Sequence, residues 1–268
     1  MKKQPIGIFD SGIGGLTVFK EIRKQFPQED IIYFGDTARV PYGPKSPQTV
    51  LNYSVQNARF LLQNGAKIIV VACNTSASVA LQKLREILPI PIIGVIQPGA
   101  AHATSVTQNG KIGIIGTEGT IRSDAYSHAI KNIDPKIQVF SKACPLLVSL
   151  VEEGWEEHQI SELIIREYLQ DLQQQDIDTL VLGCTHYPIL KKAIGKIVGK
   201  NIKLVDSAEA VAANLKEMLP NPETETDGSN KFYVSDNEDK FRQIATRILN
   251  REIEPLHRVT LGESWFVE

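Results

Sequence analysis

Two segments of the chain, residues 68–75 and 179–186, follow the same plan. Each is an apolar run of strand length that leads into one cysteine, Cys73 or Cys184, and then into small polar residues. In an α/β fold, the carboxyl end of a buried strand presents side chains to a ligand. Two thiols on opposite sides of one ligand could remove a proton from one face of a carbon and deliver a proton to the other face. The two segments therefore favour the two-base chemistry of a racemase or epimerase.

Cysteines also have other interpretations. Free cysteine is among the most buried residue types and often packs as a small hydrophobe, which fits Cys144 because Pro145 and an apolar stretch follow it. A single reactive cysteine would indicate a nucleophile, as in acyl transfer. Cys73 and Cys184 differ from Cys144 because hydroxyl, amide and imidazole groups follow them directly, and these groups are poor packing neighbours but good ligand donors.

Polar residues near the two thiols are candidates for binding and proton transfer. Asn74, Thr75 and Thr185 could bind substrate carboxylates, while Asp10 and His186 could help to move protons around the thiols. Two of them have structural alternatives, since Asp10 could cap the turn that follows it and His186 could be a satisfied structural histidine. The glycine-rich loop after Asp10 lacks the Gly-Lys-Ser/Thr ending of a P-loop, so it does not favour nucleotide binding.

Alternating strands and helices are predicted to position these side chains. Continuous apolar runs at residues 6–9, 31–35, 68–71 and 90–96 indicate buried parallel strands, with helical spacing between them. The pattern restarts at Lys111. Such alternation predicts a mostly parallel sheet with helices on both faces.

The restart has nearly constant offsets. Gly113 lies 113 − 7 = 106 residues after Gly7, and Cys184 lies 184 − 73 = 111 residues after Cys73, which indicates an internal duplication. In the second half we expect one helix near residues 122–131.

We therefore predict an α/β fold of two similar, pseudo-symmetric domains, each a mostly parallel sheet flanked by helices. Residues 1–97 plus 207–268 form the first domain and residues 98–206 the second, with the active site in the cleft between them. Residues 220–230 are poor in apolar side chains and predict an exposed loop. The segment 220–268 carries no motif to which a role can be assigned.

The charge balance and composition limit the kinds of binding partner and the cellular location that we expect. The 268-residue chain has 29 basic and 31 acidic side chains, a formal net charge of −2, which does not favour nucleic acid or an anionic membrane. Three cysteines without a CxxC pair predict free thiols, and no metal site is expected because Cys184 and His186 are the only close pair of ligand type. The apolar run near the N-terminus is too short for an export signal, and no run approaches the roughly 18 residues of a membrane span. We expect a cytoplasmic protein.

Four motifs in order resemble one known family. They are Gly7-Ile-Phe-Asp10-Ser11-Gly-Ile-Gly-Gly15-Leu, Asp36-Thr-Ala-Arg-Val-Pro-Tyr42-Gly43, Ala72-Cys73-Asn74-Thr75-Ser76-Ala77 and Gly183-Cys184-Thr185-His186-Tyr187-Pro188. Together they closely resemble the glutamate racemase family, over residues 6 to about 219. The resemblance implies two α/β domains with the site between them. It also implies interconversion of L- and D-glutamate without pyridoxal phosphate or a metal, that is, without a cofactor.

The resemblance also implies roles for single residues. Cys73 and Cys184 become the paired proton donor and acceptor, with Asp10 and His186 as catalytic helpers and Glu152 as an acidic residue that supports the side of Cys184. The positions that match the family's substrate-binding residues are Asp10, Ser11, Tyr42, Gly43, Asn74, Thr75, Thr185 and His186. The implied setting is bacterial cell-wall synthesis, in which D-glutamate enters peptidoglycan.

A homodimer is expected, with the arrangement of its subunits left open. Two alternatives stay open for the function. A related racemase could act on aspartate or a hydantoin with the same paired thiols. A non-catalytic amino-acid-binding protein would also suit two lobes around a cleft, although it would have little use for two exposed thiols.

Overall fold

The computed structural model describes residues 4–219 and 226–262. The strands in this part of the chain are β1 (Ile6–Asp10), β2 (Ile31–Gly35), β3 (Ile68–Val71), β4 (Ile92–Gly94), β5 (Lys111–Gly116), β6 (Gln138–Ala143), β7 (Thr179–Gly183), β8 (Lys203–Asp206), β9 (Asn230–Val234) and β10 (Leu256–Arg258). The helices are α1 (Leu16–Gln25), α2 (Pro47–Gln63), α3 (Asn74–Ile87), α4 (Ile96–Val106), α5 (Glu118–Arg122), α6 (Ala125–Ile133), α7 (Leu146–Glu152), α8 (Gln159–Gln173), α9 (Lys191–Val198), α10 (Ser207–Met218) and α11 (Glu238–Leu249). Over these two described ranges, none of the helices is both long and apolar enough to cross a bilayer.

The strands form two parallel sheets with the same internal order. The first sheet runs β10-β9-β2-β1-β3-β4, and the second runs β6-β5-β7-β8. If β5 is matched to β1, then β6, β7 and β8 match β2, β3 and β4, so the four-strand order is repeated. The predicted α/β fold with two similar halves is confirmed, and the repeated order agrees with the predicted duplication.

Buried apolar strands explain why both sheets are parallel. Every residue of β1, β2, β3 and β7 is buried, which is the pattern expected when helices cover both faces of a sheet. Helix α10 contacts β4 of the first sheet and β7 of the second, and helix α4 packs against α10 and contacts β7 and β8. One apolar cluster includes residues of both sheets, such as Ile8 and Val181. The two sheets are thus joined by a shared core, which fixes their carboxyl ends relative to each other.

The C-terminal segment extends the first sheet. Strand β9 pairs in parallel with β2, and β10 pairs with β9. Helix α11, between these strands, packs against α1. The domain boundaries drawn above stay a prediction, and the part of the predicted loop at residues 220–225 lies outside the described residues.

Two local boundaries differ from the expected ones. The helix expected near residues 122–131 is present as α6, and it begins at Ala125 because Asp124, with a φ of 54°, separates it from α5. The strand expected at 90–96 covers only β4, and α4 follows at once. Pro98 lies in the first turn of α4, where the missing N–H needs no partner.

Candidate active site

The two candidate cysteines occupy equivalent ends of their sheets. Cys73 lies two residues after β3 and is the N-cap of α3, while Cys184 directly follows β7. Each cysteine is 5% exposed, and both line the same cavity. The predicted juxtaposition of one thiol from each half is therefore present in the structure.

Nearly all of the catalytic and binding residues predicted from the sequence line this cavity. Its lining consists of Ser11, Val40, Pro41, Tyr42, Gly43, Cys73, Asn74, Thr75, Thr117, Val148, Glu152, Cys184, Thr185 and His186. Asp10 is the nominated residue that is missing from this lining, because it lies fully buried behind it. The roles of these residues are taken up under the proposed function.

Asp10 connects the two halves from beneath the cavity. Its carboxylate accepts a hydrogen bond from the N–H of Gly12 at 2.9 Å and one from the hydroxyl of Thr185 at 3.2 Å. Burial raises the pKa of Asp10, while the positive charge of His186 and the bonds from Gly12, Gly15 and Thr185 oppose that rise. Asp10 therefore orders the loop that follows it, as the capping alternative expected, and also accepts a hydrogen bond from Thr185 of the other half.

Cys73 lies in surroundings that favour the neutral thiol. Its sulfur donates to the Ser11 hydroxyl at 3.5 Å. Burial and the nearby negative charge of Asp10 raise the pKa of the Cys73 thiol to about 11, against the weaker opposing effect of bonds from Ser76 and Ser11. At neutral pH these surroundings therefore favour the neutral thiol of Cys73.

Cys184 lies beside a histidine and a carboxylate. Nδ1 of His186 is 3.8 Å from the Cys184 sulfur, and Nε2 is 3.3 Å from Oε1 of Glu152. Burial acts to lower the pKa of His186, but the bonds to Cys184 and Glu152 outweigh burial and raise it to about 10. The bond from His186 lowers the pKa of Glu152 despite partial burial. The Cys184 sulfur thus faces the ring of His186, whose other nitrogen meets the Glu152 carboxylate.

Asn74 offers an unused donor to a ligand. Its side-chain oxygen accepts a bond from the Tyr126 hydroxyl at 2.8 Å, which orients the amide. The Nδ2 atom is buried and has no partner in the structure. Because an unpaired buried N–H is costly, a ligand oxygen in the cavity would satisfy it. The first N–H groups of α3 lie at the same place and add partial positive charge.

The loop with Tyr42 and Gly43 is held by buried Asp36. Asp36 accepts hydrogen bonds from Nε of Arg39 at 2.6 Å, from the Tyr42 hydroxyl and from the hydroxyl of Ser235 at 2.9 Å. The Tyr42 hydroxyl also accepts a bond from Nδ2 of Asn57 at 3.1 Å. The Tyr42 hydroxyl thus donates to Asp36 and accepts from Asn57. Tyr42 and Gly43 can therefore contact a ligand through their backbone and the Tyr42 ring rather than through the hydroxyl.

Thr117 is a cavity residue that the sequence reasoning missed. Its hydroxyl shares a hydrogen bond of 2.8 Å with that of Thr75 and also caps α5 by accepting from the N–H of Thr120. A signal for it was present, because the 106-residue offset of the repeat maps Ser11 onto position 117. The other missed lining residues, Val40, Pro41 and Val148, carry no polar side chain.

No group of three or more His, Cys, Asp or Glu side chains is arranged to hold a metal ion within residues 4–219 and 226–262. What the cavity does hold is two thiols, a histidine–carboxylate pair and donors suited to an anion. A repeated α/β fold with such a cavity between its halves has the features of an enzyme that moves protons. The chain belongs to the Asp/Glu/Hydantoin racemase family, whose family model matches residues 6–215. It is an isomerase of that family.

Characterised relatives and solved structures cover nearly the whole chain. A glutamate racemase from Geobacter metallireducens is 51% identical over 265 residues, 97% of this chain and 98% of the relative. The crystal structure of a glutamate racemase isoform from Bacillus anthracis has a TM-score of 0.93 at 42% identity, covering 97% of this chain and 99% of the other. A glutamate racemase from Francisella tularensis, solved in complex with D-glutamate, has a TM-score of 0.90 at 40% identity, covering 98% and 99%.

Proposed function

We propose that this chain interconverts L- and D-glutamate by proton transfer between Cys73 and Cys184. The observation that carries the proposal is that one thiol from each half lines the same cavity, beside donors suited to a carboxylate. Similarity to glutamate racemases, one of them solved with D-glutamate, supports glutamate as the substrate. The same similarity favours glutamate over aspartate or a hydantoin.

In one direction, a thiolate removes the α-proton from one face and the opposite thiol delivers its proton to the other face. The first cysteine ends as a thiol and the second as a thiolate, so the protonation pattern is reversed and the enzyme is ready for the opposite enantiomer. On the side of Cys184, His186 lies beside the sulfur and is itself paired with Glu152. The mechanism uses only groups of the chain itself.

The difficult step is removal of the α-proton, because its pKa is far above the ordinary pKa of a thiol, which is about 8.5. Charge that develops at the α-carbon spreads into the α-carboxylate. Fixed donors around that carboxylate stabilise it, because they need no reorganisation as the charge forms. Asn74 Nδ2, the N–H groups at the start of α3 and the hydroxyl of Thr75 are placed for this role, whereas the Thr185 hydroxyl donates its proton to Asp10.

Three further proposals rest on the family resemblance. D-glutamate made in this way would supply peptidoglycan synthesis. The active species would be a homodimer. The location would be the cytoplasm, where the precursors of the cell wall are assembled.

Racemisation in deuterated water tests the function. The purified chain is incubated, without added cofactor, with L-glutamate and separately with D-glutamate, and optical rotation and loss of the α-proton signal are followed together. We expect both enantiomers to approach the racemate with deuterium incorporated at the α-carbon. Aspartate and a hydantoin serve as the substrate panel, and a higher kcat/KM for either would replace glutamate. Calorimetric binding of glutamate without any exchange would favour an amino-acid-binding protein instead.

A further inference from the structure

One arginine of the C-terminal segment is fixed on the other half of the molecule. Arg247 lies on α11, and its Nη2 donates to the backbone oxygen of Val151. Its Nε is 3.1 Å from Oε1 of Glu156. A Cβ at Gly154 would lie 2.4 Å from Nη1, so the guanidinium packs directly against the bare backbone there. Gly154 has a φ of +75°, which glycine adopts without strain.

The residues that Arg247 holds continue directly from Glu152. Glu152 is the last residue of α7, next to Val151, and its carboxylate meets Nε2 of His186. Helix α7 is seven residues long, and a helix of two turns has little stability of its own. Its C-terminal end is therefore positioned by tertiary contacts, among them the Arg247 bond to Val151, the residue before Glu152.

The two elements belong to different sheets. Helix α11 lies between β9 and β10, which extend the first sheet, whereas α7 follows β6 of the second. A second cation of the same helix, Lys240, has its Nζ 3.9 Å from Oε2 of Glu152. Helix α11 thus contacts both the backbone that carries Glu152 and the carboxylate itself.

We propose that Arg247 is a positioning residue that holds Glu152 against His186, and so links the C-terminal segment to the proton chemistry of Cys184. The inference rests on the proposed function in so far as the Glu152–His186 pair serves catalysis. It assigns a role to a segment in which no motif was found. Arg247 acts through Glu152 and lines no part of the catalytic cavity.

A matched control lies on the same helix. Arg242 also pairs with a carboxylate and a backbone oxygen, but its partners, Glu254 and Ile253, belong to its own C-terminal segment. Arg242→Met therefore removes a comparable set of contacts without touching the α7 end. Arg247→Lys keeps the charge but cannot reach carbonyl and carboxylate together, so it separates charge from geometry.

The kinetic experiment compares these variants in both directions. For Arg247→Met we expect kcat to fall about tenfold with KM changed less than about twofold, because displaced catalytic groups lose rate rather than binding. We expect Arg247→Lys to be intermediate and Arg242→Met to match the unmodified chain. Because enantiomers have equal free energy, kcat/KM must be the same in both directions for every variant, so the side affected is found with α-deuterated substrates. The primary isotope effect should rise for the enantiomer that Cys184 deprotonates and fall for the other.

A second readout does not depend on turnover. The pKa of His186 is measured by NMR of its imidazole ring, which faces Cys184, Glu152 and the charge of Asp10, with Lys240 behind Glu152. Loss of the positioned carboxylate should lower this pKa in Arg247→Met and in Glu156→Gln, but not in Arg242→Met. Equal pKa values and equal isotope effects in Arg247→Met and Arg242→Met would overturn the inference while leaving glutamate racemisation intact. If the unmodified chain racemised nothing, the proposed function would fail, and the His186 pKa comparison would still decide whether Arg247 positions Glu152.

Discussion

The two sides of the cavity share the same arrangement of strands, but their cysteines have different polar and charged neighbours. Cys73 caps a 14-residue helix, donates to Ser11 and lies near the negative charge of Asp10. Cys184 begins a short turn and lies beside an imidazole that a carboxylate supports. The repeated fold thus gives the two thiols matched positions but different electrostatic surroundings.

The difference begins in the chain that follows each strand. After Cys73 the backbone enters α3 at once, so Asn74 and Thr75 lie in the first turn with N–H groups free for an anion. After Cys184 the next helix-like turn begins at Tyr187, which leaves His186 outside it with its side chain toward the sulfur. The Cys73 side therefore offers N–H groups and the Cys184 side a histidine–carboxylate pair, so under the proposed mechanism the pH dependences of the two sides should differ.

Removal of either thiol gives the largest expected effect. Cys73→Ser and Cys184→Ser should each lower racemisation by roughly 10³-fold or more, because a serine hydroxyl is a far weaker acid and base at neutral pH. Exchange of the α-proton with solvent deuterium should persist for one enantiomer only, and for opposite enantiomers in the two variants. The control is Cys144→Ala, which removes a buried sulfur outside the cavity and should leave kcat unchanged. Racemisation at the unmodified rate by both serine variants would rule out the two-thiol mechanism.

Glu152→Gln tests the relay on the side of Cys184. We expect kcat to fall by roughly 10- to 100-fold, within the range of general acid–base groups. Since the Glu152 carboxylate helps to raise the pKa of His186 to about 10, its removal lowers that pKa, and the imidazolium is lost at a lower pH as the pH rises. The alkaline limb of the kcat profile should therefore move toward neutrality. A profile that only scaled down without moving would show that Glu152 does not act through His186.

Gly14→Ala tests the contact between the halves. A Cβ at Gly14 would lie 2.4 Å from both Nδ1 of His186 and Oγ1 of Thr185, so these side chains must shift. We expect kcat to fall by about 10-fold, as small displacements of catalytic groups cost rate. The matched control is Gly195→Ala in α9, where the nearest atom would be 3.6 Å away. That variant should keep full activity and raise the free energy of unfolding by up to about 1 kcal/mol in chemical denaturation.

Asp36→Asn should give the smallest effect and should appear in KM. The substitution weakens the bonds from Arg39, Tyr42 and Ser235 that hold the loop of Tyr42 and Gly43. We expect KM to rise about 5-fold with kcat changed less than about 2-fold, corresponding to the roughly 1 kcal/mol of a weakened hydrogen-bond set. Ser235→Ala, which removes one of these bonds from the far end, should shift KM in the same direction but less. A fall in kcat at constant KM would instead place Asp36 in the proton chemistry.

Much of the site was predictable because it lies at strand ends. An apolar run fixes where a buried strand ends, and the residues after it in parallel strands meet at one edge of the sheet. This is why Cys73, Asn74, Cys184 and His186 could be named from sequence. Thr117 could also have been found, because the repeat maps Ser11 onto it. Asp10 could not be placed behind the cavity rather than in it, because a residue at a strand end can face either way.

The sequence by itself determined the strand pattern, its repetition and the identity of the two thiols, since burial and periodicity are local properties of the chain. Only the tertiary structure decided which residues meet across long separations. Glu152 reaches His186 because α7 packs against α8 and the turn Tyr187–Leu190, and Ser235 reaches Asp36 because β9 pairs with β2. Arg247 reaches Val151 because α11 packs beside the junction of the two halves. Such contacts depend on how whole elements pack, and no local pattern of residue types encodes that geometry.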